Sequence, residues 1–174
     1  MITYQDFLKV GEDEKKRIDF VLSAISTFKH SDEYKIAITA EDYDRQQNTT
    51  IMQYQKMLRD LNGKKTPDVW SANYKLPSNF FSRFITQENQ YLLGNGVTWE
   101  NNSGEKLGED FDSKLQKLGR YALVDGCGFG FWNYDHLDVF RLTEFVPLWD
   151  EEDGSLKAGI RFWQVDNNKP LRAT

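Results

Sequence analysis

Ala122-Leu-Val-Asp-Gly-Cys-Gly-Phe-Gly-Phe131 decides the fold, because the hydrophobic period changes inside it. Upstream, Phe111, Leu115, Leu118, Tyr121, Ala122 and Val124 recur at threes and fours, which predicts a helix from about Glu109 to Asp125. Downstream, four short runs read as strands: Phe129–Tyr134, Leu137–Leu142, Phe145–Trp149 and Leu156–Val165. The glycines between the two regimes permit a tight helix-to-strand turn and close backbone approach. Asp135-His136 is expected to make the first hairpin turn. Asp150 to Gly154 makes the last, since Asp-Gly is a strong turn signal.

Towards the N-terminus the pattern stays helical. Phe7, Leu8, Ile18, Val21, Leu22 and Ile25 mark an amphipathic stretch from Tyr4 to Phe28, broken at Gly11 and restarted at the N-cap candidate Asp13. Residues 29–39 read as a loop or extended link. Tyr43, Ile51, Tyr54, Met57, Leu58 and Leu61 then predict a second helix from Ala40 to Leu61, ended by Asn62-Gly63. Lys64–Pro77 reads as a polar loop carrying Trp70 and Tyr74. A third helix opens at Ser78, its natural N-cap, and carries Phe80, Phe81, Phe84, Ile85, Tyr91 and Leu92 up to Gly94-Asn95-Gly96. Val97-Thr98-Trp99 is β-prone and Asn101–Gly104 is a turn. Helices first, then an antiparallel β-meander, is an α+β plan. It divides into an N-terminal helical segment (1–62), a second helical segment with connecting loops (63–126) and a β part (127–174). The chain stops directly after a strand, without a capping element, and is expected to be the first part of something longer.

Composition narrows the function. Of 174 residues, 39% are hydrophobic and 14% aromatic, which excludes a disordered chain. The formal net charge of -5 argues against a phosphate clamp, for which the nearest basic feature is Lys64-Lys65. One cysteine, Cys127, leaves no intrachain disulfide. No run approaches the roughly 18 apolar residues of a membrane span.

No catalytic or metal constellation emerges. Gly126-Cys-Gly-Phe-Gly130 has the wrong context for a phosphate loop, because it joins helix to strand rather than strand to helix. Cys127 as a nucleophile would need a base, and the two histidines, His30 and His136, suggest no triad. A buried, inert thiol at a helix end is the better reading. Asp150, Glu151, Glu152 and Asp153 lack the alternating spacing of a calcium loop and read as a solvated hairpin tip. No catalytic, cofactor or metal residues are assigned, and the expected role is binding or structural.

Four ordered segments resemble phage portal proteins, the head–tail connectors. These are Leu76-Pro-Ser-Asn-Phe-Phe through Tyr91-Leu-Leu-Gly94, then Gly96-Val-Thr-Trp99, then Ala122–Phe131, and last Phe145-Val-Pro-Leu-Trp-Asp150 with Ala158-Gly-Ile-Arg-Phe-Trp163. The resemblance covers about residues 41–166 and is to the siphophage type of Gram-positive hosts. It implies the peripheral wing of a subunit that forms a ring, commonly of twelve, at one capsid vertex of the virion. It also implies roles in head assembly, genome packaging, DNA ejection and head–tail connection, with assembly in the host cytoplasm. The implied partners are other portal subunits, capsid or scaffold protein, and terminase and tail adaptor through parts beyond Thr174. Double-stranded DNA would pass through the full ring without sequence-specific binding, and no membrane is involved. A net-negative ring suits that sliding. The alternative is another head-completion, adaptor or minor capsid protein. The candidate subunit-contact residues are Trp70 and Tyr74 in the loop and Phe80, Phe81, Phe84 and Tyr91 on the third helix. An apolar stripe on a helix is ordinarily internal core, so packing within the chain is the competing expectation for those four.

Overall fold

The computed structural model describes residues 2–100, 107–166 and 168–174; the turn expected at Asn101–Gly104 lies outside them. Helix α1 (Tyr4–Val10) starts with a capping box between Thr3 and Asp6. Gly11 breaks it at a φ of 71°, and α2 (Glu14–Lys29) follows, with the Asp13 carboxylate accepting from the N–H groups of Lys15 and Lys16.

The expected link at residues 29–39 is instead mostly helical, as α3 (Asp32–Asp44). Ser31 accepts from the Tyr34 N–H, and Asp32 and Glu33 sit favourably at the positive end of the helix dipole. Its pattern is unreadable as a stripe because it buries only Ala37 and Glu41, while Ile36 and Ile38 face solvent. The expected long helix Ala40–Leu61 is broken. Gln46 takes a positive φ of 63°, α4 (Thr49–Gln53) adds a short helix, and then the chain turns extended. Strand β1 (Met57–Arg59) pairs antiparallel with β2 (Lys65–Pro67), Leu58 opposite Thr66. Asn62-Gly63 is therefore a hairpin bend rather than a helix stop. Asp60 fixes the bend by accepting from the N–H groups of Asn62 and Lys64, with Gly63 at a φ of 80°.

Helix α5 (Phe80–Leu93) has Asn79, not Ser78, at its N-cap position, and α6 (Phe111–Asp125) matches the expected fourth helix. Val97–Trp99 forms no strand: the Val97 N–H bonds the Asp112 carboxylate, and Trp99 packs edge-on against Phe111. The β part follows, all antiparallel. Strands β3 (Gly128–Asn133) and β4 (His136–Arg141) form one hairpin, in which Tyr134-Asp135 makes the turn and His136 already belongs to the strand. A 3-10 turn (Leu142–Glu144) leads into β5 (Phe145–Trp149), β6 (Leu156–Trp163) and β7 (Arg172–Ala173), a three-stranded sheet. The architecture is α+β, helices then antiparallel strands in small sheets.

Two apolar clusters hold it together. Ala24 and Ile25 of α2 pack on Val146, Leu148, Ile160 and Phe162 of the three-stranded sheet. Ala37 of α3 packs on Phe129, Phe140 and Leu142, and Phe28 borders both clusters. The glycines at the helix-to-strand junction act as the period change requires. Gly126 closes α6 in the left-handed region, φ 89°. A Cβ on Gly128 would lie 2.9 Å from the Leu118 carbonyl oxygen and 3.3 Å from the Ala122 nitrogen. Strand β3 can therefore touch α6 only as glycine.

The helical and β parts are also locked by charge. The Arg141 guanidinium forms a two-pronged pair with Asp125 at 2.8 and 2.6 Å and reaches Glu41 at 3.2 Å, while lying 4.8 Å from the Tyr121 ring centre. Burial opposes its charge, but the hydrogen bonds and attraction of Asp125 and Glu41 prevail and raise its pKa. Glu41 also accepts from Thr143 at 2.7 Å and pairs with Arg45 at 2.7 Å. The Asp125 side chain is fully buried and that of Glu41 nearly so.

Two outcomes follow for urea unfolding of the chain. Arg141→Met strands the buried Asp125 carboxylate, while Glu41 keeps Arg45 and Thr143, and is expected to cost about 3–5 kcal/mol, more than Asp125→Asn, which leaves Arg141 its Glu41 partner. Gly128→Ala forces β3 off α6 and is expected to cost about 1–3 kcal/mol; wild-type stability for either Gly128→Ala or Arg141→Met would refute its part.

Candidate functional site

Helix α5 has two faces of different character. Ile85 is buried, and the side facing α6 is an interlock of polar groups. Asn89 donates to the Gln116 carbonyl, Gln116 donates to the Leu93 carbonyl, and Arg120 donates to Thr86, Ser82 and Asp44. The helices approach closely at Gly119, where a Cβ would stand 2.6 Å from both Asn89 Oδ1 and Leu93 Cδ1. Spacing of four and seven residues places Phe80, Phe84 and Tyr91 together on the opposite side. Phe80 and Phe84 stack with centroids 6.4 Å apart, yet both are 63% exposed, and Tyr91 is 90% exposed. Phe81 lies between the faces, half-buried. The expected internal stripe is thus turned outwards for three of the four aromatics, because the polar side of α5 supplies specific partners for α6.

The remaining two candidates lie in a separate unit, the arm Tyr54–Leu76. Every residue of β1 and β2 is exposed, and the two strands pack chiefly on each other. Trp70 is 91% and Tyr74 82% exposed. The turn that carries Trp70 is tied down through its backbone. The buried Asp68 carboxylate accepts from the N–H groups of Trp70 and Ser71, each at 3.0 Å, and from the Ser71 hydroxyl, and pairs with Lys56 at 3.5 Å. The Ser71 hydroxyl and the two backbone N–H groups, with Lys56, hold the Asp68 carboxyl down at about 2. At the base, Asn73 donates to the Tyr54 carbonyl and Lys75 to the Met52 carbonyl. Arm and α5 aromatics were both legible as candidates in the sequence. The hairpin between them was not, although Asn-Gly between Met57-Leu58 and Lys65-Thr66 is a hairpin signal.

The residues weighed for chemistry fall elsewhere. Cys127 is half-buried, and burial, with the nearby Asp125 charge, pushes its thiol up, which favours the protonated form at neutral pH. His136 Nδ1 meets the Asp135 carboxylate at 2.7 Å in an exposed hairpin, a hydrogen bond that raises the histidine and lowers the aspartate. Asp150–Asp153 form the turn before Gly154, where Asp153 is satisfied by Ser155 and Lys157. Among the described residues no group of three or more His, Cys, Asp or Glu could hold a metal ion, and no helix is long and apolar enough to cross a membrane.

The described surface thus carries outward aromatics on a cross-braced body. The family described as phage portal protein, SPP1 Gp6-like, matches residues 35–172. The chain belongs to that family. Among curated proteins none matches it. Its role is that of a structural portal subunit, in a family that is structural rather than enzymatic; portal proteins sit in the virion capsid and form oligomeric rings with one another.

The Asp68 turn makes the arm acid-sensitive. Because the folded pKa lies below the unfolded one, its stabilisation is fully present above about pH 4 and is lost as the pH falls through about 2. The expected outcome is that Trp70 fluorescence and amide exchange at Trp70 and Ser71 change in that window in the wild type, and that Asp68→Asn shows the loosened exchange already at neutral pH. Equal protection in the variant would refute the role of the carboxylate.

Proposed function

We propose that this chain is the wing portion of the portal subunit and works by contact rather than turnover. Its outward aromatics, Trp70 and Tyr74 on the arm and Phe80, Phe84 and Tyr91 on α5 with Phe81 at the flank, meet neighbouring subunits in the ring. The observation that carries this reading is the exposure of Phe80, Phe84 and Tyr91 on a helix whose other face is hydrogen-bonded to α6. A monomer would normally turn such a stripe inwards, and large exposed apolar patches mark interaction sites. In a ring at the capsid vertex, this portion would brace the subunits while the capsid or scaffold protein holds the assembly from outside.

The full portal would then serve head assembly, genome packaging and head–tail connection, docking terminase and later the tail adaptor through other parts. The net charge of -5 supports DNA sliding past without a phosphate clamp. Siphophage origin and a Gram-positive host fit the same resemblance.

Negative-stain imaging of the full-length chain is expected to show closed rings. The double variant Phe80→Ser, Phe84→Ser, at positions already exposed, should keep the helical circular dichroism and shift the population to smaller species. Intact rings from that variant would refute the α5 contact, and a monomeric wild-type chain would refute the portal wing reading.

A further inference from the structure

The arm is a small fold without a support of its own. A two-stranded hairpin is marginally stable alone in water. Yet this one leaves Leu61 fully exposed, with Val69, Trp70, Tyr74 and Leu76 each more than three-quarters exposed. Its charge differs from that of the chain. Lys56, Arg59, Lys64, Lys65 and Lys75 face only Asp60 and Asp68, within a protein of net charge -5. A basic, apolar arm on an acidic body is matched by another copy of the same body. Resting on the portal reading, the argument can go further, because a ring of more than two subunits needs a head-to-tail interface, in which one surface meets a different one on the next copy.

Two apolar cavities could receive the arm. One, of about 510 Å³, opens between the two sheets, and its lining sets Lys157 and Arg161 against one acid, Asp138, an excess of positive charge that disfavours a basic arm. The other, of about 500 Å³, lies between the two core clusters, under the corner of α2 and α3. Its wall includes Ala24, Phe28, Cys127, Val146 and Trp149, and its one formally charged lining residue is Glu33. Apolar walls without partner atoms forgo packing that an inserted ring would restore. The two match in size and in apolar character, so charge selects the second cavity.

We infer that the arm of each subunit reaches onto the next copy in the ring and seats Trp70 in the cavity lined by Phe28, Cys127 and Trp149. The Asp68 turn fixes the backbone that carries the indole, so little main-chain ordering is lost on docking. The lysines then approach Glu33, which orients the arm. Each subunit gives one arm and receives one, and the contact repeats around the ring without closing on a pair.

The native cysteine makes this testable in the assembled full-length protein. Trp70→Cys places a thiol opposite Cys127 of the adjacent subunit, and because Trp70 is exposed the fold should survive. Mild oxidation of assembled rings at alkaline pH, followed by non-reducing electrophoresis, should give a ladder running past the dimer. The ladder should vanish when Cys127→Ala is added and be absent from Trp70→Ala rings. Wild-type rings that form while Trp70→Cys gives no ladder, or one that persists with Cys127→Ala, would overturn the seating and leave the portal reading intact. Products confined to dimers would overturn the head-to-tail arrangement. Absence of rings from the unmodified chain would overturn the portal reading, and the seating with it.

Discussion

The guanidinium of Arg141 is the point on which the layout of this chain depends. It sits where the end of β4, the end of α6 and the last turn of α3 converge, pairing with Asp125 and Glu41 at once. A buried ion pair is weak evidence for net stability, because desolvation offsets most of the attraction. The two apolar clusters supply the driving force. What the charges supply is geometry: one arginine can satisfy both carboxylates in only one relative placement of the three elements. From that placement the rest follows. Helix α6 is held against β3 closely enough to require Gly128, and α5 is held against α6 by Arg120 and the amides of Asn89 and Gln116. With its polar face so engaged, α5 has nowhere to turn Phe80, Phe84 and Tyr91 except outwards.

The parts legible in the sequence are those with local causes. The change of period at Gly126–Gly130, the Asp13 cap, the Gly11 break and the Asp-Gly turn each depend on neighbours in the chain, and each is found in place. Helix α3 was hidden because its buried surface is one alanine and one glutamate, and neither is an apolar stripe. The arm was hidden for the opposite reason: Tyr54, Met57, Leu58 and Leu61 carry a helix-like spacing but serve no buried face at all, so periodicity misreported them. Arg141, Asp125 and Glu41 are far apart in the chain, and nothing in the identity of any one announces the others. The candidate aromatics could be named from the sequence, but not their direction, since an outward and an inward stripe have the same spacing.

The chain therefore combines two regions of unequal support. The body is cross-linked by apolar packing and by charge, and it would open only with most of its structure. The arm is held by the Asp60 bend, the Asp68 turn and a few bonds at its base, and such regions lie at the low end of local stability. A structural subunit benefits from this division. The rigid part fixes the angle between neighbours, and the weakly supported part can find its seat after the subunits meet.

Charge and apolar surface have separate tasks in such an association. Lysines on the arm act over about 8 Å at physiological salt, enough to favour approach to an acidic neighbour but too little for much affinity. Affinity has to come from burying the exposed aromatic rings, which large side chains with few torsions do at low entropic cost. The same division explains how an acidic protein can tolerate five basic residues in one short segment without becoming a nucleic-acid clamp. Once the arm lies against the next subunit, its lysines are offset by that neighbour's acidic surface, and the charge left facing outwards is the negative remainder.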